Sequence, residues 1–166
     1  MIGTRLGPYE LLGEIGKGGM ATVYRAYQPS TDRQVAVKVI HRSLADNPVE
    51  LEHFQREARM IARLEHSHIL PVYDYNGSHN PPYIVMRYLP GGTLRDALNR
   101  SALLFNEVAR LYQQVASALD YAHQSGVIHL DLKPSNIMLD GQDSAFLTDF
   151  GIAQSISLPG GAGEEG

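Results

Sequence analysis

Cysteine is absent from these 166 residues. That excludes disulfides, thiolate metal centres and thiol nucleophiles, and it fits a reducing compartment. Lysine is nearly as scarce. Lys17, Lys38 and Lys133 are the only three, and arginine supplies the rest of the 14 basic residues. A basic excess is also missing: the formal charge is −4 and no basic stripe runs along the chain, which argues against a nucleic-acid partner. No apolar run approaches the length of a membrane span, and the opening "MIGTRLGPYE" lacks the apolar stretch of a signal peptide. The expectation is a soluble, cytoplasmic globule. The hydrophobic share of 43% is enough for a core in one domain or two small lobes.

The order of elements points to two lobes in an α+β fold. "YELLGEIG" and "MATVYRAYQ" read as strands around a glycine turn, and "STDR" separates the second from "QVAVKVI", giving an antiparallel meander. Residues 49–65 carry the helical period. "HILPVYDYN" and "PPYIVMRYL" return to strand, and "PGGTLRDAL" reads as a break before a short helix. Asn106 is positioned to cap the next helix, whose Val108, Leu111, Val115, Leu119 and Ala122 share one face and which stops at Gly126. "IML" and "AFLTD" around Asp140-Gly141 form a small hairpin. From Ser155 onward, glycine, serine, proline and glutamate dominate and no element is assigned.

Two charges stand on faces that should be apolar. At about 100° per residue, Phe54, Met60, Ile61 and Leu64 all fall within about 60° of Glu57, while Arg56, Arg59 and Arg63 lie round the other side. Alternation in "QVAVKVI" sets Val35, Val37 and Val39 on one face and Ala36, Lys38 and Ile40 on the other. Taken singly, Glu57 reads as a rim glutamate and Lys38 as a snorkelling lysine. Taken together, opposite charges turned inward on neighbouring elements form a pair, because either alone is costly to bury.

Three further stretches carry chemistry. Gly16, Gly18 and Gly19 let the backbone approach a phosphate closely, although many such turns only join strands. "HLDLKPSN" places Asp131, Lys133 and Asn136 in one short loop: a proton acceptor, a phosphoryl-neutralising cation and a hard-cation ligand, or else a polar surface turn around Pro134. The hairpin brings Asn136 and Asp149 to its open end roughly opposite each other, and two converging oxygens suit Mg²⁺. A backbone cradle, a paired lysine, a metal pair and a base together describe phosphoryl transfer from a nucleotide.

In this order, G-x-G-x-x-A-x-V, V-A-V-K, the inward glutamate, H-x-D-L-K-P-x-N and D-F-G resemble the eukaryotic-like protein kinases, and "GKGGMATVY" resembles their bacterial Ser/Thr branch. The resemblance spans residues 8–153. It implies a kinase N-lobe over 1–86 with a complete antiparallel sheet and one main helix, a hinge over 87–92 and the first part of a helical C-lobe over 93–153. A disordered or truncated activation-segment tail would follow over 154–166.

ATP and Mg²⁺ are the implied cofactors, with Mn²⁺ as an alternative. Gly16, Lys17, Gly18, Gly19 and Ala21 would cover the phosphates, Ile15 would also bind the nucleotide, and Lys38, paired with Glu57, would hold the α- and β-phosphates. Val23, Ala36 and Met138 would sandwich the adenine, with Met86 as gatekeeper and the backbone of Arg87 and Leu89 at its edge. Asp131 would be the catalytic base and Lys133 its companion, favouring Ser/Thr hydroxyls of a protein substrate; Asn136 and Asp149 would hold the metal. Ile61, Val72, His129 and Phe150 would form the apolar column between lobes, so His129 packs rather than carries protons.

Three departures qualify what the resemblance implies. Ala21 stands where the family has a third glycine, a mild change. Leu130 replaces an arginine that grips an activation-loop phosphate in many relatives, so no such phosphorylation should be required. Only 15 residues follow Gly151, without Ala-Pro-Glu or a further helix. Leu111, Val115 and Leu119 are then expected to remain uncovered and to drive self-association. A nucleotide-binding or interaction fragment with little catalysis is the alternative to an active enzyme.

Overall fold

The structure, a computed structural model, describes residues 2–150. Gly151 and the tail over 154–166 lie outside the described residues. The first half builds a six-stranded sheet from β1 (Arg5–Leu6), β2 (Tyr9–Lys17), β3 (Ala21–Gln28), β4 (Arg33–Ile40), β5 (Val72–Asn76) and β6 (Tyr83–Arg87), in the order β1-β2-β3-β4-β6-β5. Every neighbour is antiparallel. Strand β4 is covered on both faces, which is why it reads as a nearly unbroken apolar run. Val35, Val37 and Val39 pack with Tyr9, Leu11, Tyr24, Tyr83 and Val85 on one side. Ala36 and Ile40 pack with Phe54, Ala58, Ile84 and Met86 on the other. Each fully buried large apolar side chain contributes about 1.5–3 kcal/mol.

Between β4 and β5 lie α1 (Arg42–Ala45), a single turn that periodicity could not register, and α2 (Pro48–Ala62). Helix α2 starts where Asn47 accepts a hydrogen bond from the Val49 N–H at 3.0 Å, with Pro48 in its first turn. It ends before residue 65, the expected limit. The Glu65 N–H donates instead to the Tyr121 hydroxyl (3.1 Å) and the His68 N–H to His66 Nδ1 (3.0 Å), turning the chain away. Strand β5 likewise begins at Val72 rather than His68. The backbone from His68 to Leu70 is taken by Leu147, through Leu147 N–H to His68 O at 2.8 Å and Leu70 N–H to Leu147 O at 2.9 Å.

The second half contains α3 (Leu94–Arg100), α4 (Phe105–Gln124) and a hairpin of β7 (Ile137–Leu139) and β8 (Ala145–Leu147). Thr93 and Asp96 close α3 reciprocally, each side chain bonding the other's backbone N–H, at 2.9 and 3.1 Å. Asn106 does not cap α4. It already lies inside the helix, and the Glu107 carboxylate accepts the Leu104 N–H at 2.6 Å. At the other end Gly126 adopts φ 78°, the left-handed residue that terminates the helix. The segment between sheet and α3 is pressed onto the hairpin: the Leu139 N–H donates to Gly92 O at 2.8 Å, and a β-carbon at Gly91 would collide with Leu139 O.

Helix α4 buries Ala118 and Ala122 against Leu147 and Phe150, and Leu111, Val115 and Leu119 are partly buried on the same cluster. The uncovered apolar residues are therefore different from those expected. Leu104, Phe105, Val108 and Tyr112 are exposed, Phe105 by 88%. The hairpin takes the 111–115–119 stripe, leaving the neighbouring one to solvent. No helix among the described residues is long and apolar enough to cross a membrane.

Candidate functional site

Strand β4 and helix α2 place their inward charges against each other. Lys38 Nζ lies 3.3 Å from Glu57 Oε1, and the two side chains are only 15% and 12% exposed. A third member, not anticipated from the sequence, completes the group: Asp149 Oδ1 lies 3.2 Å from the same ammonium. Burial alone would lower the lysine's pKa, but Asp149 and Glu57 outweigh it and hold it above its ordinary value. Burial pushes the Glu57 carboxyl up, Lys38 opposes that, and the nearby Asp149 charge adds to it. One cation serves two carboxylates, so the site carries an excess negative charge suited to a further cation.

Asp149 follows β8 with φ 47°, a conformation uncommon for a non-glycine residue. Its neighbour Phe150 is fully buried and stacks obliquely on His129, ring centroids 4.8 Å apart. His129 is itself 2% exposed, and both ring nitrogens are engaged. Nδ1 accepts the Asp131 N–H at 3.2 Å, so Nε2 carries the proton and donates to Thr148 O at 2.8 Å. Burial lowers its pKa. A neutral ring with both nitrogens occupied by backbone groups supports the loop rather than relaying a proton.

That support positions Asp131, whose carboxylate is half exposed and lies 3.4 Å from Lys133 Nζ. Asn136, buried, donates its amide to Asp131 O at 2.8 Å and to Asp131 Oδ2 at 3.1 Å. Those bonds use the amide hydrogens and leave the carbonyl oxygen, the atom a hard cation needs. Hairpin register puts Thr148 opposite Asn136, through a 3.0 Å bond from the Thr148 N–H to Asn136 O, and Asp149 one residue farther on. No group of three or more His, Asp or Glu residues suited to a metal occurs among the described residues. Two oxygen donors alone match Mg²⁺, which keeps most of its ligands for phosphate and water.

Gly16, Lys17, Gly18, Gly19, Ala21 and Val23 line the same cleft as Lys38, Glu57, Asp131, Lys133, Asn136 and Asp149; its volume is about 710 Å³. Small-molecule sites typically fall at roughly 300–1,000 Å³. The Gly18 N–H closes the turn on Ala21 O at 2.9 Å. Ile15 is 47% exposed at its edge and is not part of the lining. Ala36, Met86 and Leu89 are buried in one apolar cluster, with Val23 and Met138 packed against it. The Arg87 N–H donates to Pro71 O at 3.0 Å and so is not free for a ligand. Among the described residues Leu89 has no backbone hydrogen bond. Thr22 and His41, which no sequence pattern singled out, bond each other beside the turn at 3.0 Å. Their signal lay in strand register, since Thr22 follows the turn and His41 directly follows the strand that bears Lys38.

Comparison with known proteins agrees with this geometry. The family profile "Protein kinase domain" matches residues 9–162. Serine/threonine-protein kinase PknD of Mycobacterium tuberculosis is 41% identical over 96% of the chain, and PrkC of Bacillus subtilis is 38% identical over 95%. The chain spans 24% of the length of each. The solved PknI kinase domain of M. tuberculosis superposes with a TM-score of 0.76 at 34% identity, covering 93% of this chain and 62% of that one.

Proposed function

Because the chain belongs to the protein kinase family, we propose that its cleft binds Mg·ATP and supports phosphoryl transfer to Ser or Thr hydroxyls of a protein. The observation that carries this reading is convergence. Lys38, Glu57 and Asp149 meet within 3.3 Å beneath the glycine turn, and Asp131 with Asn136 faces the same cleft. The Lys38 ammonium, fixed by Glu57, is the cation for phosphate oxygens. The turn over Gly16–Ala21 covers them, Ile15 at the cleft edge contacts the nucleotide, and the buried Ala36–Met86–Leu89 surface with Val23 and Met138 takes a flat ring. Backbone groups of Arg87 and Leu89 meet its edge.

Asn136 and Asp149 are the residues placed to hold Mg²⁺, or Mn²⁺ in its stead; when bound, the metal supplies charge neutralisation between phosphates. Asp131, half exposed and aligned by Asn136 and His129, accepts the proton of the attacking hydroxyl. Lys133 beside it offsets developing negative charge. The partners are then ATP and a protein substrate in the cytoplasm, with Leu130 relieving any need for activation-loop phosphorylation. A second reading, a nucleotide-binding fragment with little transfer and a tendency to self-associate, is favoured by the exposed stripe Leu104, Phe105, Val108 and Tyr112.

Thermal shift with Mg·ATP and transfer of labelled γ-phosphate to a generic basic protein separate the two. Transfer that disappears in Asp131→Asn, with the ATP-dependent shift retained, is expected of the enzyme. Stabilisation without transfer selects the binding fragment. Absence of both would sink the nucleotide reading.

A further inference from the structure

The glycine turn has little packing of its own. A β-carbon placed on Gly19 would meet nothing within 4 Å, so the turn is not packed there. Besides the turn's own bond from the Gly18 N–H to Ala21 O, hydrogen bonds from one residue hold it. The His41 N–H donates to Met20 O at 2.9 Å. His41 Nδ1 lies 3.2 Å from Gly19 O, and His41 Nε2 lies 3.0 Å from the Thr22 hydroxyl. Since a carbonyl only accepts, Nδ1 carries the proton, and in the neutral ring Nε2 accepts from Thr22. Thr22 is buried, 6% exposed, on the strand that leaves the turn. The imidazole thus ties the unpacked end of the turn to a rigid strand and to the end of β4, three residues beyond Lys38.

We propose that His41 is a positioning residue for the phosphate side of the cleft, fixing the glycine turn at the height set by β4 over Lys38. It touches no ligand itself. It lowers the cost of ordering the turn over phosphates, which is the way pre-organisation raises affinity. This rests on the nucleotide reading of the cleft, and it assigns the effect to the phosphates alone, because the apolar ring surface of Ala36, Met86 and Leu89 lies elsewhere in the lobe.

The substitutions follow from atom positions. His41→Leu removes both side-chain bonds but keeps the backbone bond to Met20. His41→Asn places an amide N–H where Nδ1 stood and restores the bond to Gly19 O. His41→Gln reaches only toward Thr22. Calorimetric titration of the full chain with Mg·ATP and, separately, with adenosine reads the phosphate contribution against the ring contribution. Loss of one or two hydrogen bonds corresponds to about a five- to tenfold weaker Mg·ATP affinity in His41→Leu, with adenosine affinity unchanged. His41→Asn should recover most of that loss and His41→Gln less. Undiminished Mg·ATP affinity in His41→Leu would overturn the proposal and leave the nucleotide site intact. So would equal loss for adenosine and Mg·ATP, which would make His41 a general support of the lobe. If the unaltered chain bound neither ligand, the site itself, and the positioning role with it, would fall.

Discussion

The two halves of the chain cover their apolar residues to different degrees. In the sheet, β4 is packed on both faces, and Val35, Val37 and Val85 have no exposure at all. In the second half, α4 is covered on one stripe only, and Phe105 remains 88% exposed on another. The difference also divides the site. The proposed phosphate side, Lys38 with Glu57, is held by a closed core. The proposed acceptor side, Asp131, depends on a loop stiffened by His129 and Asn136 over a helix that is half open. The proposed nucleotide binding and the proposed phosphoryl transfer would therefore rest on supports of unequal strength, each open to being weakened separately.

The largest effect should come from opening the closed half. Phe54→Ala, which empties the contact between α2 and the sheet, is expected to cost about 3–5 kcal/mol in urea unfolding. A loss below 1 kcal/mol, roughly what a surface change gives, would mean that this core is not tight. Next comes Lys38→Met, which leaves Glu57 and Asp149 without their cation. Labelled transfer should fall on the order of 10²–10³-fold, and the Mg·ATP-dependent rise in melting temperature should vanish. An unchanged rise would show that the phosphates do not use this ammonium.

A moderate effect is expected from acid. The buried, neutral His129 has a pKa below its ordinary value of 6.5, so the unfolded chain takes up a proton first. Its contribution is whole above about pH 6.5 and is lost as the pH falls through the lowered folded value. Melting measured from about pH 7.5 to about pH 5.5 should therefore decline more steeply in the unaltered chain than in His129→Gln. Parallel slopes would remove His129 as the cause.

The smallest effect lies on the open half. Replacing Phe105 and Tyr112 together by serine should change stability by no more than about 0.5 kcal/mol per site. It should reduce self-association in sedimentation velocity, and unchanged sedimentation would exclude this stripe as the contact.

Lys38 and Glu57 were legible as a pair because each breaks a local period, of two in a strand and 3.6 in a helix, and a buried charge needs a partner. The hairpin was legible because Asp140-Gly141 lies between two short apolar runs. The start of β5 was not, since Ile69 and Leu70 are apolar in either setting and only the approach of Leu147 decides which backbone they bond. The share of Lys38 taken by Asp149, 111 residues away, was equally invisible. His41 gives no sequence signal for the same reason, because its bonds to Gly19 and Thr22 exist only once β3 and β4 are in register.

The amino-acid sequence by itself determined the chemical inventory and the faces on which its charges stand, because side-chain direction follows from local backbone period. Tertiary structure decided which carboxylates share the Lys38 ammonium, which stripe of α4 meets the hairpin and which residue holds the glycine turn. Those outcomes depend on hydrogen bonds and packing between segments far apart in the chain, and no local pattern encodes how such segments meet.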